Sequence, residues 1–273
     1  MLKDITLGQF IPGNSILHRL DARIKLIALV LFIVALFMAS SFYSYLTITL
    51  LVVLMVAVSK IPVKMILRSM RSLFFIIIFS TFLNIFYSAG DPIFSVKIIF
   101  FTLSVTMEGI YTAIAMILRI MNLIVCTSML TYTTSPILLT DAIEMLLSPL
   151  KKIKMPVHEF AMMMTIALRM IPTLIEETDK IINTQKARGA DFETGGLIKR
   201  GKALVPVLIP LFVSQFRRAD ELATAMECRC YKGGQGRTRL KQYKLHRLDF
   251  IILLFIILVT AAIFFLNKIN GLY

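Results

Sequence analysis

Two short stretches carry the side chains with the most specific chemistry. In QKARGADF, residues 185–192, Arg188 stands between Ala187 and Gly189; in AMECRCYK, residues 225–232, Arg229 stands between Cys228 and Cys230. A guanidinium is a planar fork of donors suited to bidentate pairing with carboxylates and to carbonyl-lined grooves, and small neighbours leave that fork accessible. An arginine in a last helical turn also complements the negative end of the helix dipole, which by itself needs no further role. The doubling asks for more: two long helical patterns in one segment both give out into glycine just after a lone arginine with small flanks.

Other reactive residue types converge on nothing. GLIKRGKA, residues 196–203, approaches the phosphate-binding pattern G-x-x-x-x-G-K-[ST], but Ala203 replaces the magnesium-binding hydroxyl, and the stretch follows a polar turn instead of a strand. His18, His158 and His246 are scattered at no metal-ligand spacing, and no nucleophile, base and orienting group come together. The sequence thus predicts neither a catalytic residue nor a metal site. Cys126, Cys228 and Cys230 offer no disulfide framework. Arg119 lies inside an apolar run, where a cation is costly. Lining a substrate path is the functional reading; the structural one is a buried carbonyl or hydroxyl partner from a neighbouring run, or snorkelling to the interface if the run's limits are shifted.

The arginines must be positioned by the segment 134–248, which is too long for an unstructured loop and shows helical periodicity. Ser135 and Pro136 open a short helix reaching about Leu147. Pro156 opens a longer one with Phe160, Met163, Met164, Ala167, Met170, Ile171, Leu174 and Ile175 on one stripe, ending at Arg188. After ADFETGG a second long helix repeats the design with Val205, Leu208, Ile209, Phe212, Phe216 and Ala219, ending at Arg229. Pro172 in one, and Pro206 with Pro210 in the other, should bend them. Each also carries an aspartate, Asp179 or Asp220, nine residues before its arginine. Periodicity says that a face is covered, not by what: a hairpin packed on itself or lying on a membrane would give the same stripes.

The rest of the chain is membrane-like. Hydrophobic residues make up 58% of it and charged ones 17%, and mean hydropathy is +0.81, more than a soluble core requires. Apolar runs at 26–39, 46–58, 73–87, about 107–131 and 250–266 predict about five transmembrane helices, while 98–106 is too short to cross and is left as an outer-surface or re-entrant segment. With the N-terminus inside and the C-terminus outside, all but Lys97, Lys268 and Arg119 of the 30 lysines and arginines are cytoplasmic, and the start reads as a signal anchor. That topology accounts for the net charge of +14, so no nucleic-acid partner is expected. The expected fold is an all-α polytopic membrane protein. Residues 1–133 form an N-terminal arm and four spans, 134–248 a cytoplasmic domain, and 249–273 the last span and an external tail.

PVHEFAMMMTIALRMIPTLIEETDKIINTQKARGADF and LVPVLIPLFVSQFRRADELATAMECRCY resemble the coupling helices of the transmembrane T component of energy-coupling factor (ECF) transporters. QFIPGNSILHRLDARIKL and LTYTTSPILLTDAIEMLLSPLKKI resemble the same family. The resemblance covers most of the chain and is nearest to the shared T component that serves several substrate-binding subunits. It implies a non-catalytic subunit of an ABC-type importer of vitamins and trace nutrients in a bacterial cell membrane. Two cytoplasmic ATPases would hold ATP and magnesium, this chain binding no cofactor. A membrane-embedded S component would capture substrate. The family's small-Arg-small docking motifs fall on Ala187, Arg188 and Gly189 and on Cys228, Arg229 and Cys230, the second departing from the usual alanine and glycine flanks. Met163, Met164, Met170, Ile171, Leu174, Phe212 and Phe216 become the stripe expected to meet the S component. The competing reading is a self-sufficient secondary transporter or channel, which would show repeated spans or broken helices at a midplane site; the sequence shows neither.

Overall fold

The computed structural model describes residues 10–87, 92–98, 101–192, 194, 196–234 and 245–270. Ser15 opens a single turn, α1 (Ile16–Arg19), by accepting the backbone N–H of His18. Asp21 caps α2 (Ala22–Met38), accepting the Arg23 backbone N–H at 2.9 Å and its guanidinium at 2.9 and 3.1 Å. Burial pushes this carboxyl up, but the hydrogen bonds and charge of Arg23 outweigh it and hold the pKa below the usual value. After Ala39 and a short turn, α3 (Phe42–Ser59) runs to Lys60, which ends it in the left-handed conformation. The next helix, α4 (Val63–Tyr87), begins ten residues before the expected third span and turns by 59° between Val63–Arg71 and Leu73–Phe86.

Beyond it, β1 (Pro92–Ile98) and β2 (Phe101–Thr106) pair as an antiparallel hairpin. The 98–106 stretch is therefore mostly a paired strand, its residues 99 and 100 lying outside the described residues. Thr106 closes the strand and caps α5 (Met107–Thr133), accepting the Gly109 N–H at 3.0 Å. Then come α6 (Pro136–Leu146), a 3₁₀ segment (Ser148–Ile153), the long helices α7 (Val157–Ala187) and α8 (Leu197–Cys228), and α9 (Arg247–Asn270). The fold is that of an all-α polytopic membrane protein with one short hairpin added. The described residues fall into two compact units, Ile143–Gln242 and the remainder from Gly8–Ala142 with Tyr243–Tyr273.

Polar contacts fix the direction of every span. The Asp249 carboxylate accepts the backbone N–H of Asp21 at 3.1 Å, and Asn267, 18 residues on, accepts from Ser44 at 2.8 Å and donates to the Met38 carbonyl. The start of α9 thus lies at the start of α2 and its end at the end of α2, so the two run parallel. Tyr45 and Thr49 of α3 face Arg119 and Asn122 of α5, which makes those two parallel. The Tyr132 hydroxyl near the end of α5 reaches the Met65 carbonyl near the start of α4, and Lys25 donates to the Thr133 carbonyl at 3.0 Å. The order is then α2 up, α3 down, α4 up, α5 down, α9 up, which closes only if bent α4 crosses.

Three helices, Phe42–Ser59, Met107–Thr133 and Arg247–Lys268, are long and apolar enough to cross alone, and α4 supplies a fourth when its two parts are taken together. The 17 residues of α2 reach about 25 Å, near the hydrocarbon thickness of about 30 Å. Phe32, Leu36, Tyr45, Ile48, Val125, Met129 and Ile263 meet in the core between these helices. Arg119 sits beside it, donating to the Ala39 carbonyl at 3.2 Å and to the Tyr45 hydroxyl, with its guanidinium over the Phe37 and Tyr45 rings. The carbonyl and hydroxyl partners expected for a buried cation are both present.

Candidate functional site

The 31 residues of α7 and 32 of α8 make rods of about 47 and 48 Å. Four contacts set them antiparallel. Glu177 meets Ser214; eight residues on, Gln185 meets Pro206, eight residues back. At the other end Gly233 passes Glu159 and Gly234 passes His158. Arg188 therefore stands beside the start of α8 and Arg229 beside the start of α7, roughly 40 Å apart along the axes at 1.5 Å per residue.

The seam between the rods is polar. Glu177 accepts from Ser214 Oγ, from Gln215 Nε2 at 3.0 Å and from Arg218 at 3.4 Å. Gln185 Nε2 donates to the Pro206 carbonyl at 3.5 Å. That carbonyl would ordinarily receive the N–H of residue 210, but Pro210 has none, so a side chain from the neighbouring helix supplies the missing donor. The apolar stripes face away from the seam. Met163 is 58% exposed, Phe212 61% and Phe216 70%, and Met164 and Leu174 are also exposed, while Met170 and Ile171 are half-buried. A hairpin packed on its own stripes would reverse this arrangement, so within this unit the stripes are left open.

Both arginine tips end in the same backbone motif. At the first, Arg188 is the C-cap, the Gly189 N–H donates to the Lys186 carbonyl at 3.0 Å, and the Ala190 N–H donates to the Gln185 carbonyl at 3.0 Å. At the second, Arg229 is the C-cap, Cys230 donates to Glu227 at 2.8 Å, and Tyr231 donates to Met226 at 3.1 Å. These are two Schellman closures, superposable residue by residue. The residue after the arginine must take a positive φ, +88° at Gly189 and +57° at Cys230. No atom lies within 4 Å of where a Gly189 Cβ would sit, so the small residue there answers to backbone conformation, not to crowding within this chain.

Ala187, Arg188, Gly189, Cys228, Arg229 and Cys230 are all exposed. Neither guanidinium makes a hydrogen bond or ion pair among the described residues. Each tip ends a long helix with its guanidinium donors free among the described residues, and such a planar fork can pair with carboxylates or carbonyls. The paired aspartates singled out from spacing, Asp179 and Asp220, use their carboxylates in no contact among the described residues; the acid that joins the helices is Glu177. Spacing marks His158 as an isolated histidine, yet it pairs with Glu144 at 3.1 Å beside the Gly234 turn. GLIKRGKA forms the first turns of α8 with Gly196 as N-cap, so it presents no phosphate-cradling loop. No group of three or more metal-ligating side chains occurs among the described residues.

Residues 13–240 match the family model of the cobalt transport protein CbiQ. The chain is 54% identical over 252 residues to the energy-coupling factor transporter transmembrane protein EcfT of Ruminiclostridium cellulolyticum, covering 92% of this chain and 93% of that one. It is 51% identical over 271 residues to the protein of the same name from Clostridium kluyveri, with 98% of each chain covered. It is 43% identical over 267 residues to that of Bacillus subtilis, covering 98% of this chain and all of the relative. Antiparallel helices with open stripes and twin arginine caps in one unit, and apolar spans in the other, agree with those matches: the chain belongs to the CbiQ family, among the transmembrane EcfT proteins of energy-coupling factor transporters.

Proposed function

We propose that this chain is the mechanical coupler of an ATP-driven importer, carrying movement of two cytoplasmic ABC-type ATPases to a membrane-embedded substrate-binding S component that takes up vitamins or trace nutrients. The observation that carries the reading is the twin closure: two exposed guanidiniums, each just before a residue of positive φ, at opposite ends of one riveted helix pair. A motor with two related halves offers two grooves, and a single follower of both needs two tips. ATP and magnesium belong to the partner ATPases, and the chain itself does no chemistry. The exposed stripe of Met163, Met164, Leu174, Phe212 and Phe216, with Met170 and Ile171, is the surface for the S component, where flexible methionines suit successive partners. Membrane lipid surrounds the spans, and no nucleic acid is involved. The helix pair faces the cytoplasm of a bacterial cell, the N-terminus lies inside and the C-terminus outside, as the lysine and arginine distribution favours.

The test is purification of the tagged complex from its native membrane, with Arg188→Ala and Arg229→Ala combined. Two ATPases and a small hydrophobic subunit should accompany the unaltered chain. The double variant should lose the ATPases and all ATP-dependent uptake. Unchanged uptake by the double variant overturns the reading, and a chain that purifies alone yet transports supports a self-sufficient carrier.

A further inference from the structure

The first part of α4 is built unlike a span. Within Val63–Arg71, Lys64, Arg68 and Arg71 recur at intervals of four and three and share one face. All three are exposed and make no hydrogen bond or ion pair among the described residues. The other side is anchored: Ile66 is buried, and Met65 and Met70 pack on the core. The helix then turns by 59° into Leu73–Phe86. A cationic face on a segment angled away from the span it feeds belongs at headgroup level. Positive charge beside a span is common for reasons of topology alone, so the stripe would carry little by itself.

The second observation is a crevice that runs past the bend. Between the span part of α4 and α5 lies an open, apolar crevice of about 860 Å³, within the range of roughly 300–1,000 Å³ usual for ligand sites. Leu67, Phe74, Ile78, Phe82 and Met121 line it, and Arg71 is among the lining residues, at the bend. From Arg71 to Ile85 the lining extends roughly 21 Å along the helix, more than the half-thickness of about 15 Å of bilayer hydrocarbon. A slot of that length with an exposed arginine on its lining at the bend fits an acyl chain and the phosphate beside it. Two further cations on the same face favour a headgroup of net negative charge over a zwitterionic one, because the latter brings its own ammonium to a site already positive.

We propose that the α4–α5 crevice binds an anionic phospholipid, its phosphate held by Arg71 and Arg68 and one acyl chain lying along the slot. The proposal needs α4 to lie in the bilayer and is independent of the coupling reading. The chain contains no tryptophan, so Phe82→Trp places a single, selectively excitable tryptophan in the crevice of the full-length protein. Reconstituted at equal mole fraction of brominated lipid, this variant should be quenched severalfold more strongly by acyl-brominated phosphatidylglycerol than by acyl-brominated phosphatidylcholine. Adding Arg68→Gln and Arg71→Gln should abolish that preference while leaving quenching by phosphatidylcholine. Phe255→Trp on α9, exposed elsewhere on the spans, should show no preference in either background, and its normal quenching reports that the charge variant is folded. Equal quenching of Phe82→Trp by both lipids, a preference that survives loss of both arginines, or protection from both lipids because another protein chain covers the crevice would each overturn the proposal.

Discussion

Gln185 covers the Pro206 carbonyl from across the helix pair, at 3.5 Å, where Pro210 leaves that carbonyl without its own helical donor. Gln185 also accepts the Ala190 N–H in the closure of the first tip. One residue therefore joins the end of α7 to the proline-bearing stretch of α8. Gln185→Ala should lower stability by about 0.5–1 kcal/mol, the low end for a hydrogen bond because the site is partly exposed. Pro210→Ala restores a backbone donor to the carbonyl, so in that background the Gln185→Ala cost should fall towards zero. A double-mutant cycle by thermal unfolding in detergent measures the coupling, and additive effects would show that the side chain does not serve this acceptor.

The twin closures predict opposite effects of substitution at matching positions. Cys230 holds a φ of +57° and Gly189 one of +88°. A side chain in that region costs about 1–2 kcal/mol, partly offset by the greater freedom glycine has in the unfolded chain. Cys230→Gly should therefore stabilise the second tip by about 1 kcal/mol, and Gly189→Ala should weaken the first by about as much. Amide hydrogen exchange in residues 226–231 should slow about fivefold in the former, and exchange in residues 185–190 should quicken about fivefold in the latter.

Gly234 owes its identity to a neighbour. A Cβ there would come within 2.9 Å of His158 Cδ2 and 3.1 Å of its Cβ and Cγ. Gly234→Ala should cost about 1–3 kcal/mol by overpacking and disturb the His158–Glu144 pair. His158→Ala combined with Gly234→Ala removes the Cδ2 and Cγ contacts and leaves only the Cβ at 3.1 Å, so the combined variant should be more stable than the sum of the single losses predicts. Thermal unfolding of the four chains decides it.

Arg119 should prove a structural cation. Arg119→Ala strips the Tyr45 hydroxyl and the Ala39 carbonyl of their donor and removes two ring contacts, for a loss of about 1–3 kcal/mol. The melting temperature of the purified complex should drop while the set of nutrients taken up stays the same. Normal assembly with altered substrate choice would assign the residue to a transport path instead.

How much of this was legible in the sequence depends on the kind of contact. Apolar runs and stripes at three- and four-residue spacing follow from burial alone, so the spans, the long helices and the arginine ends could be placed within a few residues. The small flanks were legible too, but their reason was not: spacing suggests room around the guanidinium, whereas the backbone shows a left-handed residue after each C-cap. The Glu177 and Gln185 contacts depend on which faces of two helices meet, and one chain's periodicity cannot fix that register. The four-residue spacing of Pro206 and Pro210 was the available clue, since it announces a carbonyl in need of a donor. The bend of α4 at Ser72 left no proline or glycine to mark it. The strand of residues 101–106 was seen only as a run too short to cross.

The pinning of α9 against α2 has a consequence for how the chain is made. Asp249 and Asn267, which satisfy the backbone at the two ends of α2, are encoded some 228 residues after it. At a synthesis rate of 5–20 residues per second, the first span waits roughly 11–46 s in the bilayer before its mate emerges. During that interval the Asp21 amide and Met38 carbonyl must borrow water or lipid headgroups. Insertase or chaperone dependence should therefore concentrate on nascent chains that end before Asp249.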